Sequence, residues 1–179
     1  ALGVTTTGAT LLGPGLVRPG GEGVVSLEKH PRLVLLEKLL RQAGFKVQVV
    51  NDARGLAWGK VVINAAINPL TALLRVPNGA LLERPGARWL MSHLAGEAAS
   101  VAAADGVHLP YVDPANAAAD VARKTAANYS SMLQDIRRGA RTEIDAICGA
   151  VVRTGERYGV ATPFNRTCWQ LIQALSPNY

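Results

Sequence analysis

Residues 58–78, WGKVVINAAINPLTALLRVPN, decide how the chain is read, because a lysine and two asparagines recur there at every fourth position of an otherwise apolar run. At about 100° per residue, Lys60, Asn64 and Asn68 share one side of a helix and form a polar stripe. Val61, Val62, Ile63, Ala65, Ala66 and Ile67 fill the other positions, so the helix is apolar everywhere else. Such a helix belongs inside a protein. A buried ammonium must find partners or lose its proton, and the two amides or a ligand could be those partners. Two readings stay open: Lys60 reaches to solvent while the asparagines bridge neighbouring helices, or all three face a ligand. Three polar groups on one stripe favour the second. Pro69 is expected to end or kink the helix, leaving Asn68 at a helix end and free to face a ligand.

Upstream of this stretch, residues 4–28 have β character: Thr5 to Thr7, Ala9 to Leu12, a Gly-Pro-Gly turn, Leu16 and Val17, a second glycine-rich turn, then Val24 to Leu27. They read as short strands joined by tight turns. Pro31 opens an amphipathic helix with Leu33, Leu36, Leu39 and Leu40 on its apolar side and Gly44 at its end. FKVQVV at 45–50 alternates as a strand, so the opening segment is the back part of an α/β unit. After Asn51 the pattern is almost only helical. The expected helices are 54–68 with Asp52 as its cap, about 84–105 ending at Gly106, about 114–127 capped by Asp113 before Pro114, and about 141–158 closing at Gly159. The last begins at Thr162-Pro163.

The 179 residues suffice for one full domain with part of a second. No apolar run approaches the ~20 residues of a membrane span, and the opening ALGVTTTGATLLGPG has no signal-peptide pattern. Cys148 and Cys168 are too few for a disulfide framework, so a reducing cytoplasm is the expected compartment and both thiols are expected to pack as small apolar groups. The net charge of +6 raises nucleic-acid binding, but the densest basic group, Arg137, Arg138 and Arg141, is broken by Gly139 and flanked by Asp135 and Glu143. With 5% aromatic residues there is also little to stack bases, and an anionic small molecule uses the charge better. His30, His93 and His108 lack metal-ligand spacing. Trp58, Trp89 and Trp169 are expected in the core.

Two further polar stretches matter. Asn128, Ser130 and Ser131 precede MLQDI, and twelve residues beyond Ser131 stands Glu143 in RTEIDAICGAVV, which reads as a buried helix carrying that carboxylate. Taken singly, Ser131 could cap the helix that follows, and Glu143 could be a capping-box partner or pair with Arg141. Together, WGKVVINAAINPLTALLRVPNG, YSSMLQDIRRGARTEID and GVATPFN closely resemble the C-terminal domain of the ketopantoate reductase (2-dehydropantoate 2-reductase) family. The likeness runs in the same order over about residues 55–175. Residues 1–50 are similar to the end of that family's nucleotide-binding domain, with GVTTTGA resembling its GTTTHAA stretch.

The resemblance implies a mainly α fold: an all-helical C-terminal domain like that of 6-phosphogluconate dehydrogenase over 52–179, preceded at 1–51 by a partial α/β Rossmann-type remnant. It implies NADPH-dependent reduction of ketopantoate to pantoate in pantothenate biosynthesis. Lys60 stands at the position of the family's catalytic lysine, which protonates the keto oxygen as hydride arrives. Asn64, Asn68, Asn78 and Ser131 match substrate-holding positions, with Asn128 a further candidate. Glu143 matches a carboxylate at the cofactor and active-site end, and Ala9 a position touching the dinucleotide. Thr7 departs from the family, many of whose members carry histidine there.

The residues suit that chemistry independently. A ketone that gains hydride becomes an alkoxide, and a lysine in an apolar wall, its pKa lowered by desolvation, can meet the charge. Asparagine and serine can hold a carboxylate and a hydroxyl without adding competing charge. G-x-G-x-x-G is absent, and the chain begins in mid-strand, so roughly a hundred residues of an ordinary Rossmann domain are expected to be missing. A fragment that neither binds NADPH tightly nor turns over by itself is therefore expected. The expected partners are a small 2-keto acid and, through the helical domain, a second copy of the chain, with no nucleic acid and no membrane. The alternatives are a reductase of another 2-keto acid in the 6-phosphogluconate-dehydrogenase-like superfamily, or a non-catalytic helical dimerisation module.

Overall fold

The structure, a computed structural model, describes residues 1–20 and 22–175. Gly21 of the second glycine-rich turn and residues 176–179 of the expected helical domain lie outside the described residues. The chain divides into two compact units, Ala1–Ala57 and Trp58–Tyr179.

The first unit holds β1 (Gly3–Thr5), β2 (Ala9–Gly13), β3 (Leu16–Pro19), β4 (Val24–Glu28), a 3-10 turn at Pro31–Leu33, α1 (Val34–Gln42) and β5 (Lys46–Val50). β4 pairs antiparallel with β1 and parallel with β5, and β2 and β3 form a separate hairpin. A parallel pair needs a crossover, and α1 supplies it. Gly44, at φ 86°, ends α1 as expected, and the Phe45 N–H donates to Leu40 O at 3.0 Å. The apolar side expected for α1 exists, but it is uncovered: Leu36 and Leu39 are exposed and no residue of α1 is buried.

Mainly helical architecture follows. α2 (Arg54–Leu74) is succeeded by α3 (Ala80–Glu83), α4 (Pro85–Ala104), α5 (Pro114–Lys124), α6 (Ser131–Arg137), α7 (Cys148–Tyr158) and α8 (Pro163–Leu175). The Asp52 carboxylate accepts from the Arg54 N–H at 2.8 Å, and Asp113 caps α5 by accepting from the Asn116 N–H at 2.9 Å. Gly159, at φ 70°, closes α7 as its sequence position suggested. The core of this unit joins Val62, Ala66, Ile67 and Leu70 of α2 to Met91, Leu94, Ala95 and Ala98 of α4, Leu133 of α6, Val151 of α7 and Ile172 of α8. The alanines of α4 thus serve close packing within the chain.

Three expectations need correction. α2 does not stop at Pro69 but runs through it to Leu74, which places Asn68 inside the helix and not at its end. An interior proline costs ~3 kcal/mol, but Ile67 and Leu70, at 2% and 3% exposure, each contribute ~1.5–3 kcal/mol by burial, enough to offset it. The helix expected from 141 begins only at Cys148, because a bend at 143 and a turn over 144–147 precede it, in which Glu143 O accepts from both the Ala146 and Ile147 N–H. Trp89 is not a core residue. It stands 52% exposed on α4, stacked on His93 with ring centroids 3.8 Å apart and edge-on to Phe164.

Candidate functional site

The stripe on α2 runs from solvent into the core. Lys60 is exposed, Asn64 is half-buried and Asn68 is buried at 7% exposure. The dry apolar wall expected around Lys60 is therefore not found. One residue earlier the helix is covered: the Tyr111 hydroxyl donates to Gly59 O at 2.9 Å, and a Cβ on Gly59 would lie 2.9 Å from Pro110 Cδ. Burial pushes the Tyr111 phenol up to about 12, so its O–H remains a donor at any ordinary working pH.

The buried end of the stripe is tied to the turn before α6. Thr71 lies eleven residues after Lys60, a rotation of only ~20° from it about the helix axis. Its hydroxyl is 2.9 Å from Asn68 O and 3.1 Å from Ile67 O, and 2.7 Å from the Ser130 hydroxyl. Ser130 in turn caps α6, accepting from the Leu133 N–H at 3.1 Å. The cap of α6 is thus Ser130, and the exposed Ser131 is the first residue of the helix.

A second strand of contacts brings Asn78 to Asn128. The Asn78 N–H donates to Asn128 O at 3.0 Å and the Gly79 N–H to Ala126 O at 3.0 Å. Position 79 must be glycine for this approach, since a Cβ there would sit 2.6 Å from that of Ala126. The Asn128 side chain is exposed, but that of Asn78 is buried, and its Nδ2 donates to Thr125 Oγ1 at 2.8 Å. Thr125 spends its own proton on Val121 O at 2.7 Å, which fixes the orientation of the Asn78 amide. Asn78 Oδ1 is left buried without a hydrogen-bond partner. An orphaned acceptor costs ~1–3 kcal/mol, and a ligand hydroxyl or amide donor would satisfy it.

Glu143 is exposed on its turn, and no hydrogen bond joins its carboxylate to the other candidates among the described residues. The partner expected for it, Arg141, lies instead 3.6 Å from Asp145 Oδ2. Ala9 belongs to β2 of the first unit and is exposed. Sequence reasoning missed Thr71, Thr125 and Tyr111, and it singled out Ser130 without its bond to Thr71. Thr71 was detectable from helical phase alone, but the contacts of the other three join residues 47 to 59 apart in sequence, which no local pattern reveals.

Among the described residues no group of three or more His, Cys, Asp or Glu could hold a metal, and no helix is long and apolar enough to cross a membrane. A cleft of about 510 Å³ opens between α4 and the start of α5, lined by Trp89, Asp113 and Asn116 among others, away from the stripe.

Solved structures that share this fold are reductases and dehydrogenases. A PanE/ApbA family ketopantoate reductase from Ralstonia eutropha is 33% identical with a TM-score of 0.90, over 97% of this chain and 58% of that one. D-mandelate dehydrogenase in complex with NADH is 29% identical with a TM-score of 0.87, over 96% of this chain and 60% of that one. Residues 52–176 match the family described as ketopantoate reductase PanE/ApbA C terminal, and the chain belongs to that family. A 2-dehydropantoate 2-reductase of Archaeoglobus fulgidus is 39% identical over 178 residues, covering 97% of this chain and 60% of that protein. One of Pyrobaculum aerophilum is 45% identical over 139 residues, covering 78% of this chain and 50% of that protein. The chain thus spans 50–60% of the length of these relatives.

Proposed function

We propose that a protein carrying this chain reduces 2-dehydropantoate to pantoate with NADPH, and that Trp58–Tyr179 supplies the residues that hold the substrate and protonate it. The observation that carries this reading is the graded stripe: an exposed lysine, an amide halfway in and an amide in the core. Lys60 donates a proton to the keto oxygen as negative charge develops there. Asn64, Asn68, Asn78 and Ser131 hold the carboxylate and hydroxyl of the substrate, and Asn128 sits beside Asn78 to complete the group. Asn78 Oδ1, buried and unpaired, receives a donor from the substrate.

NADPH, when bound, supplies the hydride. The groups that would cradle its pyrophosphate are not found among the described residues: β4 passes to α1 through Lys29, His30 and Pro31, with no glycine for close approach. Residues 1–51 are proposed as part of a dinucleotide-binding domain, with Ala9 there and Glu143 in the helical unit as its contacts. The 179 residues by themselves should bind NADPH no tighter than about 0.1 mM, and a titration giving a Kd near 1 µM would overturn that.

The deciding experiment is Lys60→Ala in the full-length protein. Loss of a positioned acid should lower kcat ~10²–10⁴-fold; turnover within a few-fold of wild type rejects the catalytic reading. A second reading, a dehydrogenase of another 2-oxo acid, is favoured by the D-mandelate dehydrogenase solved with NADH and anilino(oxo)acetate, 29% identical with a TM-score of 0.86. Rates on a panel of 2-oxo acids with NADPH and with NADH separate the two. Cytoplasmic location and self-association through the helical unit belong to the same proposal; light scattering on the full-length protein checks the latter.

A further inference from the structure

The turn that carries Glu143 is held by a polar cluster to which the reaction above gives no part. Asp145, two residues on, accepts at Oδ1 from Trp169 Nε1 at 2.6 Å and from Gln173 Nε2 at 3.1 Å, both on α8. Arg141 Nη2 lies 3.6 Å from its Oδ2. Its main-chain carbonyl accepts from Arg153 Nη2 of α7 at 2.8 Å, and the same guanidinium lies over the Trp169 ring, 5.5 Å from the centroid. Gly149 makes room for this pair, since a Cβ there would stand 3.0 Å from Arg153 Nη1 and 3.1 Å from Trp169 Cε2.

These contacts leave the turn little freedom. Ile144, fully buried, and Thr142, at 5% exposure, anchor it inward on either side of Glu143. The carbonyl of Glu143 itself takes the Ala146 and Ile147 N–H, each at 3.0 Å. Trp169 and Gln173 both donate to Oδ1 and the Arg141 guanidinium lies beyond Oδ2, so an acceptor-only carboxylate serves all three, whereas an amide would turn its NH₂ towards one of them. Charge-assisted bonds to a carboxylate are stronger and more directional than the apolar contacts that could equally join α8 to the turn.

We propose that Asp145, braced by Trp169 and Gln173, is a positioning residue that sets where the Glu143 carboxylate is presented. The inference rests on the active-site role proposed for Glu143. A carboxylate displaced by an ångström can cost a reaction up to ~100-fold, so the effect should be readable in rate.

The test uses the full-length reductase with Trp169→Phe, which keeps an aromatic side chain but removes the indole N–H, and with Asp145→Asn, each alone and combined with Glu143→Gln. Each single change should lower kcat/KM about tenfold with the thermal midpoint down by only a few degrees, and should cost less than about twofold when Glu143 is already Gln. The limb of the pH–rate profile that vanishes in Glu143→Gln should move in Asp145→Asn. Equal losses in both backgrounds, or no loss in the wild-type background, overturn the proposal. Should Asp145→Asn fail to fold, Trp169→Phe decides alone. If Glu143→Gln turns over like wild type while Lys60→Ala does not, the role of Glu143 fails and this inference with it, while the reductase reading stands.

Discussion

The two units of the chain bury apolar surface in very different measure. In Ala1–Ala57 the buried apolar side chains among the described residues are Leu27, Val47 and Ala53, while Leu11, Leu16, Val34 and Leu35 stand 59–69% exposed. In Trp58–Tyr179 a continuous cluster runs through α2, α4, α6, α7 and α8 with Leu94, Val151 and Ile172 at 0%. Strand pairing and turn chemistry can shape a small unit, but a sheet of three strands with one uncovered helix excludes too little water to be stable. The largest effect should therefore come from separating the units. Residues 52–179 alone should melt in one cooperative transition, and residues 1–51 alone should show none by calorimetry. A cooperative transition in the shorter piece would break the comparison.

Point substitutions should repeat the contrast on a smaller scale. Leu94→Ala removes a fully buried side chain from α4 and should cost ~2–5 kcal/mol in denaturant unfolding. Leu35→Ser, on the exposed side of α1, should change stability by less than ~0.5 kcal/mol. Similar losses at the two sites would mean that α1 is covered in solution.

Helix ends were legible in the sequence of both units. Gly44, Gly106 and Gly159 all fall in the left-handed region that ends a helix, at φ 86°, 72° and 70°, and each was readable because glycine alone tolerates that geometry cheaply. Asp52 and Asp113 were readable as caps because an N-cap side chain bonds a donor two or three residues away. The length of α2 was not readable. Local sequence carries the cost of Pro69 but not the burial that offsets it. Nor was the environment of Lys60, because periodicity fixes which residues share a face but not whether anything covers it. The turn at 141–147 hid behind an apolar pattern that suits a helix, since the polar ties to Trp169 and Arg153 join residues 8 to 24 apart.

A pH effect should also fall on one unit only. Cys148 and Cys168 are both in the helical unit and both buried. Burial, and then the charge of Glu97, pushes the Cys168 thiol from its usual value near 9 up to about 11, and Cys148 is raised as well, chiefly by burial. The folded state holds these protons more tightly than the unfolded state. Their contribution is therefore complete below about pH 9 and falls as pH rises, that of Cys168 being lost as pH passes 11. For Cys168 this amounts to ~3 kcal/mol. Thermal midpoints of wild type and Cys168→Ala, followed from about pH 8 to 11, should converge as pH rises, and parallel curves would refute the assignment.

A further small effect compares two helix ends built alike. α1 closes on Gly44, with the Phe45 N–H reaching back to Leu40 O, and α2 closes on Arg75, with the Val76 N–H reaching back to Thr71 O at 3.2 Å. Arg75 has φ 55°, the one non-glycine residue with positive φ among the described residues. Pro77 explains why it is held there: the residue before a proline avoids helical geometry, so Val76 must be extended and the reversal falls on Arg75. A side chain in that region costs ~1–2 kcal/mol, part of which glycine gives back through the greater freedom of its unfolded chain. Arg75→Gly should therefore stabilise the helical unit by up to ~1 kcal/mol, whereas Gly44→Ala should destabilise by about the same amount. Destabilisation by Arg75→Gly would mean that its exposed side chain contributes more than its backbone loses.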